Sequence, residues 1–442
     1  MKANTIETRT FILSGQLDER LADLYGSENV DAQRSRYISL IDTFEKRFGE
    51  SADLRIVSAP GRTELGGNHT DHNNGRVLAG SVDPDCLIAV SATTDNRATL
   101  YSEGYDKPFV ADLATREPVA AERGSTTSLL RGVARGLGDH GFSTGGFNGF
   151  MSSRVLPGSG LSSSAAVEVA IGTAFNRLYN QGSIDPVTIA RIGQFAENEF
   201  FGKPCGLMDQ TASAYGGIIA IDFANPATPV IERVSFSFEA SGYQLMVVNT
   251  GGNHADLTDD YASIPAEMRA VAGKLGVGLL RQTDRAQVIL HAASIRSEVG
   301  DRAILRALHY FDDNDRVTMQ IDALRSNDIE RYLSLVRESG ASSWQLLQNC
   351  FTNKNPQEQG ISLGIALTAQ FLKDAQPSAA RSGPLTHPLG AVRVHGGGFA
   401  GTIQAYIPVP LASSYIQAME SVFGSGCVAR LSSRSAGAVA LL

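Results

Sequence analysis

Cysteine is scarce in this chain and scattered: Cys86, Cys205, Cys350 and Cys427 are the only four among 442 residues. Their spacing builds neither a metal motif nor a disulfide framework, which points to a reducing cytoplasm. Residues 1–12 hold no apolar core of signal-peptide type. No hydrophobic run approaches the ~20 residues that span a bilayer, so no membrane attachment is expected. Positive charge is in deficit, with a formal net charge of −8. Nucleic-acid binders normally carry a basic patch, so a nucleic-acid partner is not expected. Internal repeats and low-complexity tracts are also missing. What remains is a globular chain, 43% hydrophobic, long enough for two or three domains and a large core.

Three glycine-rich segments carry the chemistry. The first is Ala59-Pro-Gly-Arg-Thr-Glu-Leu-Gly-Gly-Asn-His-Thr-Asp-His-Asn-Asn-Gly75, between strand-like apolar runs at 54–57 and 77–79. A solvated turn would account for its Asn, Asp and Gly. A pocket that reads several hydroxyls accounts as well for the arginine, the two histidines and the aspartate. The second is Val155-Leu-Pro-Gly-Ser-Gly-Leu-Ser-Ser-Ser-Ala165, followed by a largely apolar stretch, 166–179; a mostly buried helix is expected over about 163–179 and a second helix over about 185–201. A Gly/Ser run at a helix N-terminus presents free N–H groups and the positive dipole end, which suits phosphate. It is not a Walker A loop, because no Gly-Lys-Ser/Thr follows, nor a dinucleotide fingerprint, because Ser163 stands where the third glycine belongs. The third, Arg393-Val-His-Gly-Gly-Gly-Phe-Ala-Gly401, leads into a strand-like run, 402–409, rather than a helix. That excludes a Rossmann turn and leaves a tight loop between two strands.

In this order, the three segments resemble the three motifs of the GHMP small-molecule kinases, and galactokinases most closely. Galactokinases carry P-G-R-x-N-L-I-G-E-H-T-D-Y-N, then G-x-G-L-S-S-S-A, then G-G-G-F-G-G. Gly202-Lys-Pro-Cys-Gly-Leu-Met-Asp-Gln210 resembles their G-x-x-C-G-I-M-D-Q, and Asn249 to Tyr261 resembles N-T/S-N-x-x-H-x-L-x-x-S-E-Y. The likeness runs from about Phe48 to the C-terminus.

The resemblance implies an α+β fold of two domains, the first like domain 2 of ribosomal protein S5 and the second ferredoxin-like, with the site between them. The expected division is an extension over 1–35, an N-terminal kinase domain over 36–230 and a C-terminal one over 231–442. The implied activity is transfer of the ATP γ-phosphoryl group to the anomeric hydroxyl of galactose. Asp209 is then the base and Arg62 the cation beside it. Asn68, His69, Asp71, Gly206 and Tyr261 would bind the sugar. Gly158, Ser159, Gly160, Leu161, Ser162, Ser163 and Ser164 would hold the nucleotide, with Gly397 and Gly398 closing the other side. Ser164 and Glu197 would hold Mg²⁺, while the exposed-looking Glu199 would not. The resemblance is incomplete. Glu64 stands for the family's asparagine, Gly66 for isoleucine, Asn68 for glutamate and His72 for tyrosine. The change at Asn68 leaves a C6-altered sugar such as galacturonate as an alternative, because an amide can donate to a carboxylate that glutamate would repel. A further alternative is a non-enzymatic sensor of sugar and ATP, against which Arg62, Asp209 and the undeleted Ser163-Ser164-Ala165 argue.

Overall fold

The computed structural model describes residues 4–155, 158, 160–252, 257–376 and 389–441. Its backbone is organised by two sheets. The first has eight strands in the order β12-β1-β2-β5-β3-β4, with β6 paired to β2 and β7 to β6. Its strands are β1 (Arg55–Gly66), β2 (Arg76–Ala92), β3 (Arg97–Ser102), β4 (Phe109–Asp112), β5 (Phe147–Ser153), β6 (Ile218–Asp222), β7 (Val230–Val234) and β12 (Val439–Ala440). The length of β2 explains the branching. One edge pairs with β1, while the other pairs with β6 over 76–80 and with β5 over 86–92.

Side-chain alternation along β1 and β2 sends residues to two separate cores. Val57, Ile88 and Val90 join the core under α4 (Thr126–Asp139), α5 (Ser163–Tyr179), α6 (Pro186–Phe195) and α7 (Met208–Tyr215). Ile56, Leu87 and Ala89 join the core under α1 (Thr5–Leu13), α2 (Asp18–Tyr25) and α3 (Val30–Phe48). The extension at the start of the chain therefore covers the second face of this sheet. It is also tied down by charge. Asp85, fully buried, accepts from Tyr25 Oη at 2.6 Å, Arg36 Nη1 at 2.6 Å and Arg434 Nη1 at 3.3 Å.

The second sheet is antiparallel, in the order β11-β8-β10-β9. Its strands are β8 (Tyr243–Asn249), β9 (Ala391–His395), β10 (Thr402–Pro408) and β11 (Val428–Leu431). That is the 4-1-3-2 order of a ferredoxin-like unit. A helical block lies in sequence between β8 and β9: α8 (Thr258–Lys274), α9 (Arg285–Leu290), α10 (Ala292–Val299), α11 (Asp301–Arg325), α12 (Ile329–Ser342) and α13 (Gly360–Asp374). α14 (Ala412–Phe423) connects β10 to β11.

The helix expected over 163–179 is α5 with the same ends. The expected division at 35/36 falls inside α3, since residues 30–48 form one helix. The division at 230/231 falls inside β7, which still pairs with β6 in the first sheet. From the expected second domain, residues 439–440 return to the first sheet against Val57 and Ser58. No helix among the described residues is long and apolar enough to cross a membrane.

Candidate active site

β1 supplies the first site residue through an irregularity. Its pairing with β2 shifts between Pro60 and Arg62 and again between Glu64 and Gly66, and such bulges re-aim side chains. Arg62 Nε and Nη2 donate to Asp209 Oδ1 and Oδ2, each at 2.6 Å. Arg62 Nη1 donates to Gly160 O at 2.7 Å, and Arg62 N to Leu161 O at 3.1 Å. One arginine thus joins the Gly/Ser loop to the start of α7. Ser162, in the left-handed region at φ 58°, also donates to Asp209. Burial pushes the Asp209 carboxyl up. The charge and hydrogen bonds of Arg62, with the Ser162 hydroxyl, outweigh this and hold it below the usual carboxylate range. Asp209 is therefore ionised at neutral pH.

A second group gathers at the first turn of α5. α6 passes into a π-helical turn, Ala196–Phe201, instead of running on as the α-helix expected to Phe201. Single π turns recur at functional sites. This one buries Glu197, whose Oε1 accepts from Ser164 Oγ at 2.8 Å, and leaves Glu199 exposed. Gln210 Nε2 bridges Glu197 Oε2 at 2.9 Å and Glu168 Oε2 at 3.0 Å. Burial, and then the charge of Glu197, raise Glu168 well above the usual range. Lys203 Nζ lies 3.6 Å from Glu197. The pair of one hydroxyl and one carboxylate suits Mg²⁺, which takes oxygen ligands and keeps waters and phosphates in its shell. Among the described residues, no cluster of three or more His, Cys, Asp or Glu side chains is arranged to hold a metal.

The sugar-loop residues meet the late glycine loop. His69 Nε2 lies 3.0 Å from Gly397 O, and Tyr261 Oη donates to Gly398 O at 2.8 Å. Burial, then His72, push the His69 imidazole down to about 3. The neutral ring donates through Nε2, and its Nδ1 is a buried acceptor with no partner among the described residues. Asp71 packs on Gly206 so closely that a Cβ there would meet its Oδ2 at 1.8 Å. Gly398 has φ +83°, and a Cβ there would meet Asn349 O at 2.1 Å. At Gly398 only glycine serves, and at Gly206 a side chain would displace the Asp71 carboxylate.

Most expected site residues are brought together, with differences. The carbonyls of Gly397 and Gly398 meet His69 and Tyr261. At Gly160 it is instead Thr402 and His395 that approach: a Cβ there would meet Thr402 Oγ1 at 2.3 Å and His395 Nδ1 at 2.8 Å. Ser163 heads α5, Leu161 is buried and Gly158 is exposed. Ser159 lies outside the described residues, as do 253–256 of the Asn249–Tyr261 segment. Asn68 is the main departure from expectation. It is fully buried, and its amide is consumed by protein groups. Nδ2 donates to Glu64 Oε1 at 3.1 Å and Gly396 O at 2.8 Å, while Oδ1 accepts from Asn349 Nδ2 at 2.9 Å and Ser343 Oγ at 3.3 Å. An amide has two donors and two acceptor sites, so nothing remains for a substrate hydroxyl. Gln210, Glu168, Arg393 and Asn349 were not expected to shape the site. Glu168 had a signal: a carboxylate inside an otherwise apolar helix is rarely buried without a reason.

Comparison with known proteins fits this geometry. Residues 128–217 match the family of GHMP kinases N terminal domains. Residues 42–92 match the galactokinase galactose-binding signature. The fold resembles that of Lactococcus lactis galactokinase complexed with galactose, at 21% identity over 90% of this chain and 98% of that one, with a TM-score of 0.75. It also resembles Methanococcus jannaschii mevalonate kinase, at 15% identity over 86% and 98% of the two chains and TM-score 0.57. A D-glycero-D-manno-heptose 1-phosphate kinase from Bacteriodes thetaiotaomicron matches at 15% identity over 88% and 98%, with TM-score 0.53. Two segments of the chain thus match models from the GHMP kinases, and the fold as a whole is that of GHMP kinase structures.

Proposed function

We propose that this kinase transfers the γ-phosphoryl group of ATP to the anomeric hydroxyl of galactose. The observation that carries this reading is the Asp209 carboxylate, gripped by Arg62 and facing the Gly/Ser loop at the head of α5. Phosphoryl transfer depends on positioned phosphates, charge neutralisation and a poised acceptor hydroxyl. The N–H groups at the head of α5 receive the phosphates. Asp209 takes the proton of the anomeric hydroxyl as its oxygen bonds to the γ-phosphorus and the bond to ADP breaks. Arg62 keeps Asp209 ionised and stabilises the moving charge. Asp71 and the unpartnered Nδ1 of His69 accept from sugar hydroxyls, and Gly206 lets the backbone approach. Mg²⁺, held by Ser164 and Glu197, would neutralise charge on the phosphate oxygens.

The intact Arg62–Asp209 pair favours an enzyme over a sensor. The argument for a C6 carboxylate on the substrate rested on Asn68, whose amide is already committed, so galactose is retained. We place the reaction in a reducing cytoplasm, consistent with four free cysteines. The test is a coupled ADP assay with ATP, Mg²⁺ and a panel of hexoses and hexuronates, with the product characterised by phosphorus NMR. Galactose 1-phosphate is expected. Turnover of galacturonate but not galactose, or of no sugar at all, would overturn the reading.

A further inference from the structure

Glu64 and Asn68 touch each other at the junction of β1 and the sugar loop. The galactokinase pattern has an amide at the first of these positions and a carboxylate at the second; this chain has the reverse. The carboxylate thus lies inside the protein, against Arg393 of β9. Both partners are sealed from solvent, with side-chain exposures of 4% and 0%. From this corner a continuous chain of hydrogen bonds runs to the glycine loop. Asn68 Nδ2 holds Gly396 O, and Asn349 Nδ2 spans Asn68 Oδ1 at 2.9 Å and Gly397 O at 3.2 Å. Asn349 O accepts from Phe399 N at 2.5 Å. The backbone of Asn68 is fixed from α11, its N–H by Asp313 Oδ2 at 2.8 Å and its carbonyl by His309 Nε2 at 2.9 Å. The next residue, His69, sits in the left-handed region at φ 60° and reaches Gly397 O.

We propose that Glu64, Arg393, Asn68 and Asn349 are positioning residues: a buried latch that joins the sugar loop to the late glycine loop and sets how tightly sugar is held without touching it. The inference rests on reading residues 66–75 as the sugar loop. Its physical basis is that neither charge can move alone. Removing the Glu64 charge strands a guanidinium in the interior, and the strand that carries it leads directly into the glycine loop. His69 and Gly397 then shift together, because one hydrogen bond joins them.

The test uses Glu64→Gln, Arg393→Gln and the double variant in the full chain. Each single variant should raise the galactose KM by about tenfold, the scale of one charged hydrogen bond. The KM for ATP and kcat at saturating sugar should stay within about twofold to threefold. The double variant, a neutral amide pair, should recover most of the loss. Hydrogen exchange should quicken in peptides covering 66–75 and 396–401 of the single variants and not in 412–423. Unchanged sugar KM and unchanged exchange in a folded single variant would overturn the latch, as would a double variant no better than the sum of the singles. If the singles fail to fold, Asn349→Ala decides by the same two readouts, because it cuts the bridge without stranding a charge. Asn68→Glu separates positioning from sugar reading. The galactose-to-galacturonate ratio of kcat/KM should hold within about twofold, whereas a residue facing C6 would shift it by about tenfold. If the wild type phosphorylates no sugar, the functional reading fails while the exchange measurement still judges the latch.

Discussion

Two arginine–carboxylate pairs grow from neighbouring positions of one strand, and they differ in what water can reach. Arg62 pairs with Asp209, whose side chain keeps 28% of its surface exposed. Two residues on, Glu64 pairs with Arg393, and exposure falls to 4% and 0%. Both are ion pairs of β1, yet they lend themselves to different work. A carboxylate that retains an open side can meet a substrate proton, and its partner arginine tunes it. A carboxylate closed on all sides can only hold other groups in place. Desolvation makes such a sealed pair weak as a source of stability but costly to break.

The largest expected effect is on chemistry. Asp209→Ala should lower kcat per folded molecule by about 10²-fold or more, the usual range for a lost general base. A folded variant with near wild-type turnover would dissolve the distinction between the pairs. The converse substitution, Glu64→Leu, should act on folding. Leaving Arg393 buried without an anion should cost about 3–5 kcal/mol in a denaturant titration, while kcat per folded molecule at saturating sugar stays near wild type. A Glu64 variant as stable as the parent would show that the sealed pair is not sealed in solution.

A third outcome concerns the carboxylate beside the phosphate loop. Glu197→Gln and Ser164→Ala should each raise the Mg²⁺ concentration for half-maximal rate, because each weakens an oxygen ligand. The exposed Glu199→Gln serves as control. An unchanged titration for Glu197→Gln would place the metal elsewhere. The smallest effect is a shift in pH profile. Asp209 is held below the usual carboxylate range chiefly by Arg62 working against burial. Its stabilising ionisation is present above the unfolded value and lost as pH falls through the lower folded one. The acid limb of kcat/KM should therefore lie below the ordinary carboxylate range in the wild type. It should move upward in Arg62→Gln, where burial is left opposed only by the weaker partners. A limb that stays in place would mean Arg62 does not tune Asp209.

Local features of this site were legible in the sequence; distant ones were not. The helix 163–179 follows from an apolar run behind a serine cluster, so its ends could be read directly. Arg62, Asp209, Ser164 and Glu197 lie in short motifs with a chemical signature, and the structure brings them into two adjoining groups. The fate of Asn68 could not be read, because its partners Ser343 and Asn349 lie more than 270 residues away. The contact between Glu64 and Arg393 spans 329 residues, and no periodicity announces such a pairing. The π-helical turn at Ala196–Phe201 was hidden for another reason: its composition is that of an ordinary helix, and the extra residue per turn is set by tertiary packing. The expected division at 230/231 rested on the Pro-containing loop before Val230, whereas the hydrogen bonds of Val230–Val234 tie it to β6.

The Asp85 cluster carries a consequence for the order of events during synthesis. Tyr25 and Arg36 are available before Asp85 emerges, but Arg434 follows it by 349 residues. At roughly 5–20 residues per second, the first sheet waits on the order of 20–70 s for its second arginine and for β12, the strand that flanks β1. Throughout that time β1 presents an unpaired edge, and the ribosome-bound chain is exposed to any other strand that could dock there. The first sheet is therefore completed by Arg434 and by residues 439–440.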